Sequence, residues 1–294
     1  MTEHVATEAF VAHRNLLFTV AYEMLGSAAD AEDVLQETWL RWAKVDQAQV
    51  RDARAYLVRI TTRQALNRLR SLGRQRESYV GPWLPEPLLT APDVAEDVEL
   101  AESVSMAMLL VLETLTPTER AVFVLREVFD VSYDEIAEAV EKTPAAVRQI
   151  AHRARSHVEA RRPRVTVSAA DTRRVIDRFQ QALRTGDLQG LLDVLAPDVV
   201  LISDGGGVKQ AALRPIVGAD KVLRWFVGIV SRTTEPVTVE QVTLNGTPGI
   251  AIHLGGELDG TAALRVVDGV VTDLYLVRNP HKLRYVASET PLVR

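Results

Sequence analysis

Five side chains able to read or grip nucleic acid, Arg148, Gln149, His152, Arg153 and Arg155, fall within one eight-residue stretch. Arg presents a planar fork that fits guanine edges and phosphates, and Gln can pair with adenine. From Lys142 to Arg164 there are seven basic residues against one acid, Glu159, the balance expected of a helix lying along phosphates in the major groove. A second set, Tyr56, Arg59, Arg63, Asn67 and Arg70, sits in residues 51–76, which carry eight basic residues and one acid. Little else offers covalent chemistry. With no cysteine there is no thiolate nucleophile, disulfide framework or zinc ribbon. His152 and His157 are five residues apart, off one helical face, which argues against a metal site. Asp204, His253, Asp273 and Tyr275 are of types used in acid–base catalysis, but a lone strand His is more often simply hydrogen-bonded, and no catalytic residue is assigned.

These side chains need helices to position them. Thr116 and Glu119 form a capping box, so a helix should start near Pro117 with Val122, Phe123, Leu125 and Val128 inward. Ser132 and Glu135 repeat the signal for a short helix with Ile136, Ala137 and Val140 as its stripe. Thr143 as N-cap and Pro144 at the first position then open the basic helix. Val147, Ile150, Ala151 and Ala154 recur at helical spacing and must face the preceding helix. That leaves Thr143, Ala145, Arg148, Gln149, His152, Arg153 and Arg155 for DNA, in a helix-turn-helix. Upstream, residues 5–25 read as a helix ended near Gly26. Ser27 or Asp30 caps a second, which buries Val34, Leu35 and Trp39 or Trp42 and shows Asp33, Gln36, Glu37 and Leu40. A third helix, over residues 52–71, packs Leu57, Ile60, Ala65, Leu66 and Leu69 and projects the basic set around Tyr56.

The 294 residues, 47% of them apolar, suffice for two or three domains. The net charge of −5 conceals the basic patches, because residues 77–119 hold nine acids and no base. Gly81, Pro82, Pro85, Pro87 and Pro92 forbid a continuous helix there. The 24 residues 77–100 span at most about 80 Å, and two DNA sites two helical turns apart are about 70 Å distant. The linker must therefore be almost extended for both basic elements to act together, and whatever holds it folded would switch the protein off. Trp83-Leu84-Pro85-Glu86-Pro87 is too apolar for an idle tether and should cover a surface. No apolar run approaches the roughly 18 residues of a membrane span, so a soluble, cytoplasmic protein with no membrane contact is expected.

Beyond residue 165, Asp171 is expected to cap a helix, residues 188–204 to form a short helix and a strand, and residues 219–232 a further helix. β-rich runs follow, joined at Asn245-Gly246, Asp259-Gly260 and Asp268-Gly269. Helices first and a meander last predict an α+β layer with one curved antiparallel sheet. Gly205, Gly206 and Gly207 lack the Lys-Ser/Thr pair of a phosphate loop.

The segments DAEDVLQETWLRW and AYLVRITTRQALNRLR resemble region 2 of the sigma-70 superfamily, and LTPTERAVFVLREVFDVSYDEIAEAV with the following RAR resembles region 4. Separated only by an acidic linker, they resemble the extracytoplasmic-function sigma factors. The resemblance implies that Asp33, Gln36, Glu37 and Leu40 dock on core RNA polymerase. It also implies that the Tyr56 set holds bases of the melted downstream promoter element while region 4 reads the duplex upstream element. Tyr56, Arg63 and Asn67 stand where the family commonly has Trp, Asn and Asp, and Glu141 where the turn usually has Gly, so base preference does not transfer. The segment ALRTGDLQGLLDVLAPDVVLISDGG resembles SnoaL-like domains, cones of the nuclear-transport-factor-two superfamily that can hold a small ligand. The fusion resembles a subgroup whose motifs recur as Trp83 to Pro87, Asp204-Gly205-Gly206-Gly207 and Asn279-Pro280-His281-Lys282-Leu283. It implies a regulatory role for Trp83, Pro85, Asp204, Gly205, Gly206, Gly207, Asn279, Pro280 and Lys282. The expected division is 1–77 region 2, 78–99 linker, 100–164 region 4 and 165–294 SnoaL-like domain, with no cofactor. The competing reading is a one-component helix-turn-helix regulator with a small-molecule sensor.

Overall fold

The computed structural model describes residues 2–76, 78–91, 94, 97–161 and 169–294. Pro92 and the expected boundary at 164/165 lie outside them, as does Glu77 at the boundary 77/78.

Three helices form the N-terminal bundle, α1 (Thr2–Leu25), α2 (Ala28–Trp42) and α3 (Ala53–Arg76). Gly26, at φ +67°, turns the chain in a conformation that only glycine adopts without cost. Ser27 is the cap of α2, its hydroxyl accepting from the Asp30 amide at 3.1 Å. Trp42 is the buried tryptophan of α2, 1% exposed, and its indole N–H donates to the Ala6 carbonyl at 2.8 Å.

Among the described residues, the next helices are α4 (Val98–Val104), α5 (Met106–Leu112), α6 (Pro117–Phe123), α7 (Tyr133–Val140) and α8 (Pro144–Glu159). Both capping boxes close as the sequence predicts. α6 runs on into one wider turn over Val124–Val128, which keeps Leu125 buried. Between α7 and α8, Glu141 occupies the left-handed region at φ 57°, ψ 52°, where a Cβ meets the backbone. Glu141→Gly is therefore expected to raise stability by about 0.5–1 kcal/mol, measured as a higher urea midpoint at unchanged slope.

A single apolar cluster runs from Leu17, Leu25 and Trp42 through Leu57 and Leu66 to Leu109, Val122, Ile136 and Ala154, and takes in Leu88 and Leu292. The two basic elements thus share one core, folded against each other.

From Ala169 onward the chain builds a cone. Helices α9 (Ala169–Thr185), α10 (Leu188–Val194) and α11 (Ala219–Val230) pack on strands β1 (Leu195–Asp204), β2 (Ile216–Val217), β3 (Val237–Leu244), β4 (Thr247–Leu254), β5 (Glu257–Val267) and β6 (Val270–Val277). The sheet order is β2-β1-β6-β5-β4-β3. Neighbours are antiparallel except β1 and β6, which run parallel, because the chain crosses the whole sheet between them. Two expectations need correction. α9 begins at Ala169, so Asp171 lies in its first turn and is not its cap. Asp259 and Gly260 lie inside β5; the β4–β5 turn is made by Gly255 and Gly256, at φ +58° and +90°. Gly260 is needed for close approach, since a Cβ there would sit 2.9 Å from the Val277 carbonyl oxygen.

Candidate functional site

α8 presents its polar face to solvent. Val147, Ile150, Ala151, Ala154 and Val158 are buried, while Thr143, Ala145, Arg148, Gln149, His152, Arg153 and Arg155 are exposed. The Thr143 hydroxyl accepts from the Ala146 amide at 3.2 Å and fixes where the helix starts. Arg155 is tied to Glu127 at 2.6 Å, which positions its guanidinium against its own domain. Arg148, 5.8 Å from the Tyr133 ring centroid, and Gln149 project without such a carboxylate tie.

The basic track on α3 is engaged by the helix-turn-helix at its Arg59–Arg63 end. Arg59 pairs with Glu138 of α7 at 2.6 Å. Arg63 donates to the Glu138 carbonyl at 2.9 Å and approaches the Glu141 carboxylate at 3.6 Å. Arg59 also stacks 4.8 Å over the Tyr56 ring, which leans on Trp42 at 5.7 Å. The crevice between Val58, Arg59, Leu125 and Val131 holds about 20 Å³, at most a water, so no base enters there. Farther along, Asn67 and Arg70 are exposed. Glu138 and Glu141 of the helix-turn-helix thus partner the guanidinium groups of Arg59 and Arg63 on α3.

On α2, Asp33, Gln36, Glu37 and Leu40 are all exposed, Leu40 at 54%. Asp33 and Gln36 border a groove of about 330 Å³ floored by Phe10, Leu35 and Trp39. This face remains open while Arg59 and Arg63 of the α3 track are tied to Glu138 and Glu141.

The linker is clamped between the bundle and the cone. Asp204, at the end of β1 and fully buried, accepts from the Tyr79 hydroxyl at 2.6 Å and from the Leu84 amide at 2.9 Å. Lys282, 6% exposed, pairs with the same carboxylate at 2.8 Å and donates to the Leu84 carbonyl at 2.6 Å. Its ammonium lies 4.1 Å from the Trp83 ring centroid, a cation–π contact. Asn279 donates to the Tyr79 hydroxyl at 2.8 Å. Burial, with the adjacent Asp204 carboxylate, raises the Tyr79 hydroxyl and keeps it a donor. Gly206 permits this: a Cβ there would sit 2.2 Å from the Asn279 amide nitrogen. Gly205 is equally constrained, 2.2 Å from the Lys209 carbonyl oxygen. Gly207, at φ +73°, completes the turn. Pro280 opens the single helical turn Pro280–Lys282 that carries Lys282 inward.

The other side of the linker engages α2. Pro85 is buried, and the Glu86 carboxylate accepts from Ser27 Oγ at 2.9 Å and from the amides of Ala28 and Ala29 at 2.8 and 3.1 Å. An anion at a helix N-terminus meets free N–H groups and the positive end of the dipole. The β3–β4 turn adds a peg. Asn245, fully buried, accepts from the Leu88 amide at 3.1 Å and donates to the Tyr22 hydroxyl at 2.6 Å and the Val104 carbonyl at 3.1 Å. Tyr22 in turn donates to the Glu86 carbonyl at 2.6 Å. Sequence reasoning missed Tyr79, Glu86, Asn245 and Tyr22. Asn245 was legible only as a turn residue, and Glu86 only as a member of the Trp83–Pro87 motif with no role of its own.

Where the helical domains meet, Arg120 of α6 is 1% exposed. It donates to the Glu23 carbonyl at 2.9 Å and pairs with Glu113. The Glu23 carboxyl accepts from the Ser103 hydroxyl at 2.8 Å. Burial pushes the Glu23 carboxyl up to about 8, opposed by Ser103 and Arg120.

The cone encloses a cavity of about 720 Å³ between α9, α11 and the sheet. Asp204, His253, Asp273 and Tyr275 are absent from its lining. Asp204 is in the clamp, Asp273 pairs with Arg265 at 2.9 Å, and Tyr275 belongs to an apolar seam with Leu84 and Met106.

The family model described as Sigma-70 region 2 matches residues 9–75, and that described as Sigma-70, region 4 matches residues 105–158. The chain is 38% identical over 287 residues to the ECF RNA polymerase sigma factor SigJ of Mycobacterium tuberculosis, covering 93% of this chain and 91% of SigJ. The chain belongs to the extracytoplasmic-function sigma factors. This sigma factor is also 31% identical over 294 residues to the probable ECF sigma factor SigI of the same species, covering 98% and 99% of the two chains. Its fold superposes on the crystal structure of SigJ with a TM-score of 0.76 at 34% identity, covering 97% of this chain and all of that one. The match to SigJ takes in the C-terminal α+β cone together with both sigma regions, so cone and sigma regions are one architecture. Among the described residues no helix is long and apolar enough to cross a membrane.

Proposed function

We propose that this sigma factor recruits core RNA polymerase through α2, reads the upstream promoter element with α8, and holds melted downstream bases on the Tyr56 track. We further propose that its cone keeps the chain closed until it engages polymerase. The divisions 1–77, 78–99, 100–164 and 165–294 serve as region 2, linker, region 4 and regulatory domain. The protein works in the cytoplasm, where polymerase is, and the cone regulates without catalysing a reaction.

The observation that carries this reading is the placement of Glu138 and Glu141 on Arg59 and Arg63. An open complex requires those guanidinium groups for DNA, so α7 must leave α3. The α2 face is free in the closed form, which allows polymerase to dock first and the two regions to part afterwards. Exposed pairs such as Arg59–Glu138 contribute only about 0.2–1 kcal/mol, so the closed form depends on the buried clamp and seam.

The test is run-off transcription from a promoter library with core polymerase, with and without the full-length chain. Start sites that depend on the chain support the reading; a chain that binds duplex tightly as a dimer and never needs core supports the one-component regulator instead. In the same assay Arg148→Ala is expected to cost about 1–3 kcal/mol at one upstream position and to relax base preference there. A phosphate-only contact would weaken all promoters alike and lower the salt slope by about one.

A further inference from the structure

The cavity in the cone has the size and lining of a ligand site, about 720 Å³ within the roughly 300–1,000 Å³ usual for small molecules. Its wall is mainly apolar, with Trp225, Phe226, Ile252 and Leu254 among the lining side chains. Trp225 and Phe226 meet edge to face, centroids 5.4 Å apart, and offer ring surfaces to a flat apolar body.

Its polar groups are unevenly matched. Asp177 accepts from the Gln241 amide. Asp259 carries two cations, Arg278 at 2.7 Å within the lining and Lys209 at 2.9 Å behind it, so this corner is net positive although the lining as a whole balances Asp177 and Asp259 against Arg184 and Arg278. Arg184 also lines the cavity and forms no ion pair among the described residues. The Gln180 amide nitrogen is shielded from solvent and has no acceptor. Unmatched donors and cations around an apolar chamber call for a ligand with acceptor or anionic oxygens.

Arg278 links this chamber to the linker clamp. Its side chain faces the cavity and Asp259, while its backbone amide donates to the Asp204 carbonyl at 2.7 Å. The next residue, Asn279, donates from its backbone to the same carbonyl at 3.0 Å and from its side chain to Tyr79. An anion that draws the Arg278 guanidinium away from Asp259 acts on the two residues that hold Asp204 and Tyr79 in place.

We propose that the cone is a regulatory receptor for an amphipathic anion, a ring-sized apolar body bearing a carboxylate or sulfonate. Such a ligand engages Arg278 and Arg184 and loosens the clamp on the linker. This rests on the reading that the clamp keeps the chain closed, but ligand binding is measured without polymerase, so the two fail separately.

Two fluorescent probes share one ring system: 8-anilinonaphthalene-1-sulfonate, an anion, and N-phenyl-1-naphthylamine, which is neutral. Titrated into the full chain, the sulfonate is expected to saturate at one site and to bind at least tenfold more tightly than the amine. Arg184→Gln should reduce that preference several-fold, and Ile252→Trp should abolish both signals by filling the chamber. Circular dichroism melts identify any variant that merely unfolds. Equal affinity for the two probes, or signals indifferent to Ile252→Trp, would overturn the site. Hydrogen exchange then reads the coupling: saturating sulfonate should speed exchange of the Leu84 amide, which Asp204 holds. Unchanged exchange at Leu84 with the site full would overturn the link to the linker.

Discussion

Asp204→Asn is expected to shift the chain strongly toward an open form and to raise its polymerase-dependent transcription. The substitution keeps the shape of the side chain but leaves the Lys282 ammonium, 6% exposed, without its carboxylate. Breaking a buried ion pair by removing one partner costs about 3–5 kcal/mol, roughly two to three and a half powers of ten in the closed-to-open ratio at 1.4 kcal/mol per factor of ten. The same change weakens the anchors of Tyr79 and of the Leu84 amide, so the loss falls on the linker. Transcription from a dependent promoter at limiting core measures it, with the thermal melt of the variant as control. Asp204→Asn combined with Lys282→Met should recover part of the lost closure, because the orphaned cation is gone; equal effects of the single and double variants would show that the pair does not hold the linker.

The second large effect is expected at the seam between the helical domains. Arg120→Met removes a fully buried guanidinium that Glu113 and the Glu23 carbonyl hold. Losing one side of such a network costs about 3–5 kcal/mol, and the seam should open or the chain lose stability outright, read as a lower urea midpoint. The seam also predicts a pH dependence. The Glu23 carboxyl titrates near 8 in the closed form against about 4.3 when solvated. The closed form therefore binds a proton that the solvated group releases between those values. Its contribution to closure is complete below pH 4 and falls as pH rises toward 8, by at most about 1.4 kcal/mol per pH unit. Glu23→Gln should flatten the pH profile of closure between pH 5 and 8, whereas a persisting slope would assign it to other groups.

The sequence was most legible where local rules act alone. Capping boxes at Thr116 and Ser132, Pro144 at a helix start, and the stripe Val147, Ile150, Ala151 and Ala154 depend on residues a few positions apart, and the helix-turn-helix forms as those rules predict. The exposed face of α2 was legible for the same reason. What the linker covers was not, because Trp83 and Glu86 find their partners at Gly26, Lys282 and the start of α2, far away in the chain. Parity also could not assign Asp204, His253, Asp273 and Tyr275 to the cavity or the opposite face, since bulges between Ile252 and His253 and between Arg265 and Val266 shift the register. The Asp259-Gly260 pair shows the limit of turn signals. A dipeptide that suits a hairpin also suits a strand wherever a buried carboxylate must receive two cations and a neighbouring backbone must come close.

The described form is closed and, on the function proposed for it, must open on polymerase. Because the chain has no cysteine, Ala48→Cys and Ala160→Cys, both at exposed positions, place a donor and an acceptor dye on region 2 and region 4 without interference. Energy transfer between them should be high in the free chain and should fall when core polymerase is added. Asp204→Asn should lower transfer before core is present. Transfer that stays unchanged on forming a transcriptionally active complex would contradict the account, since both regions would then be acting without having parted.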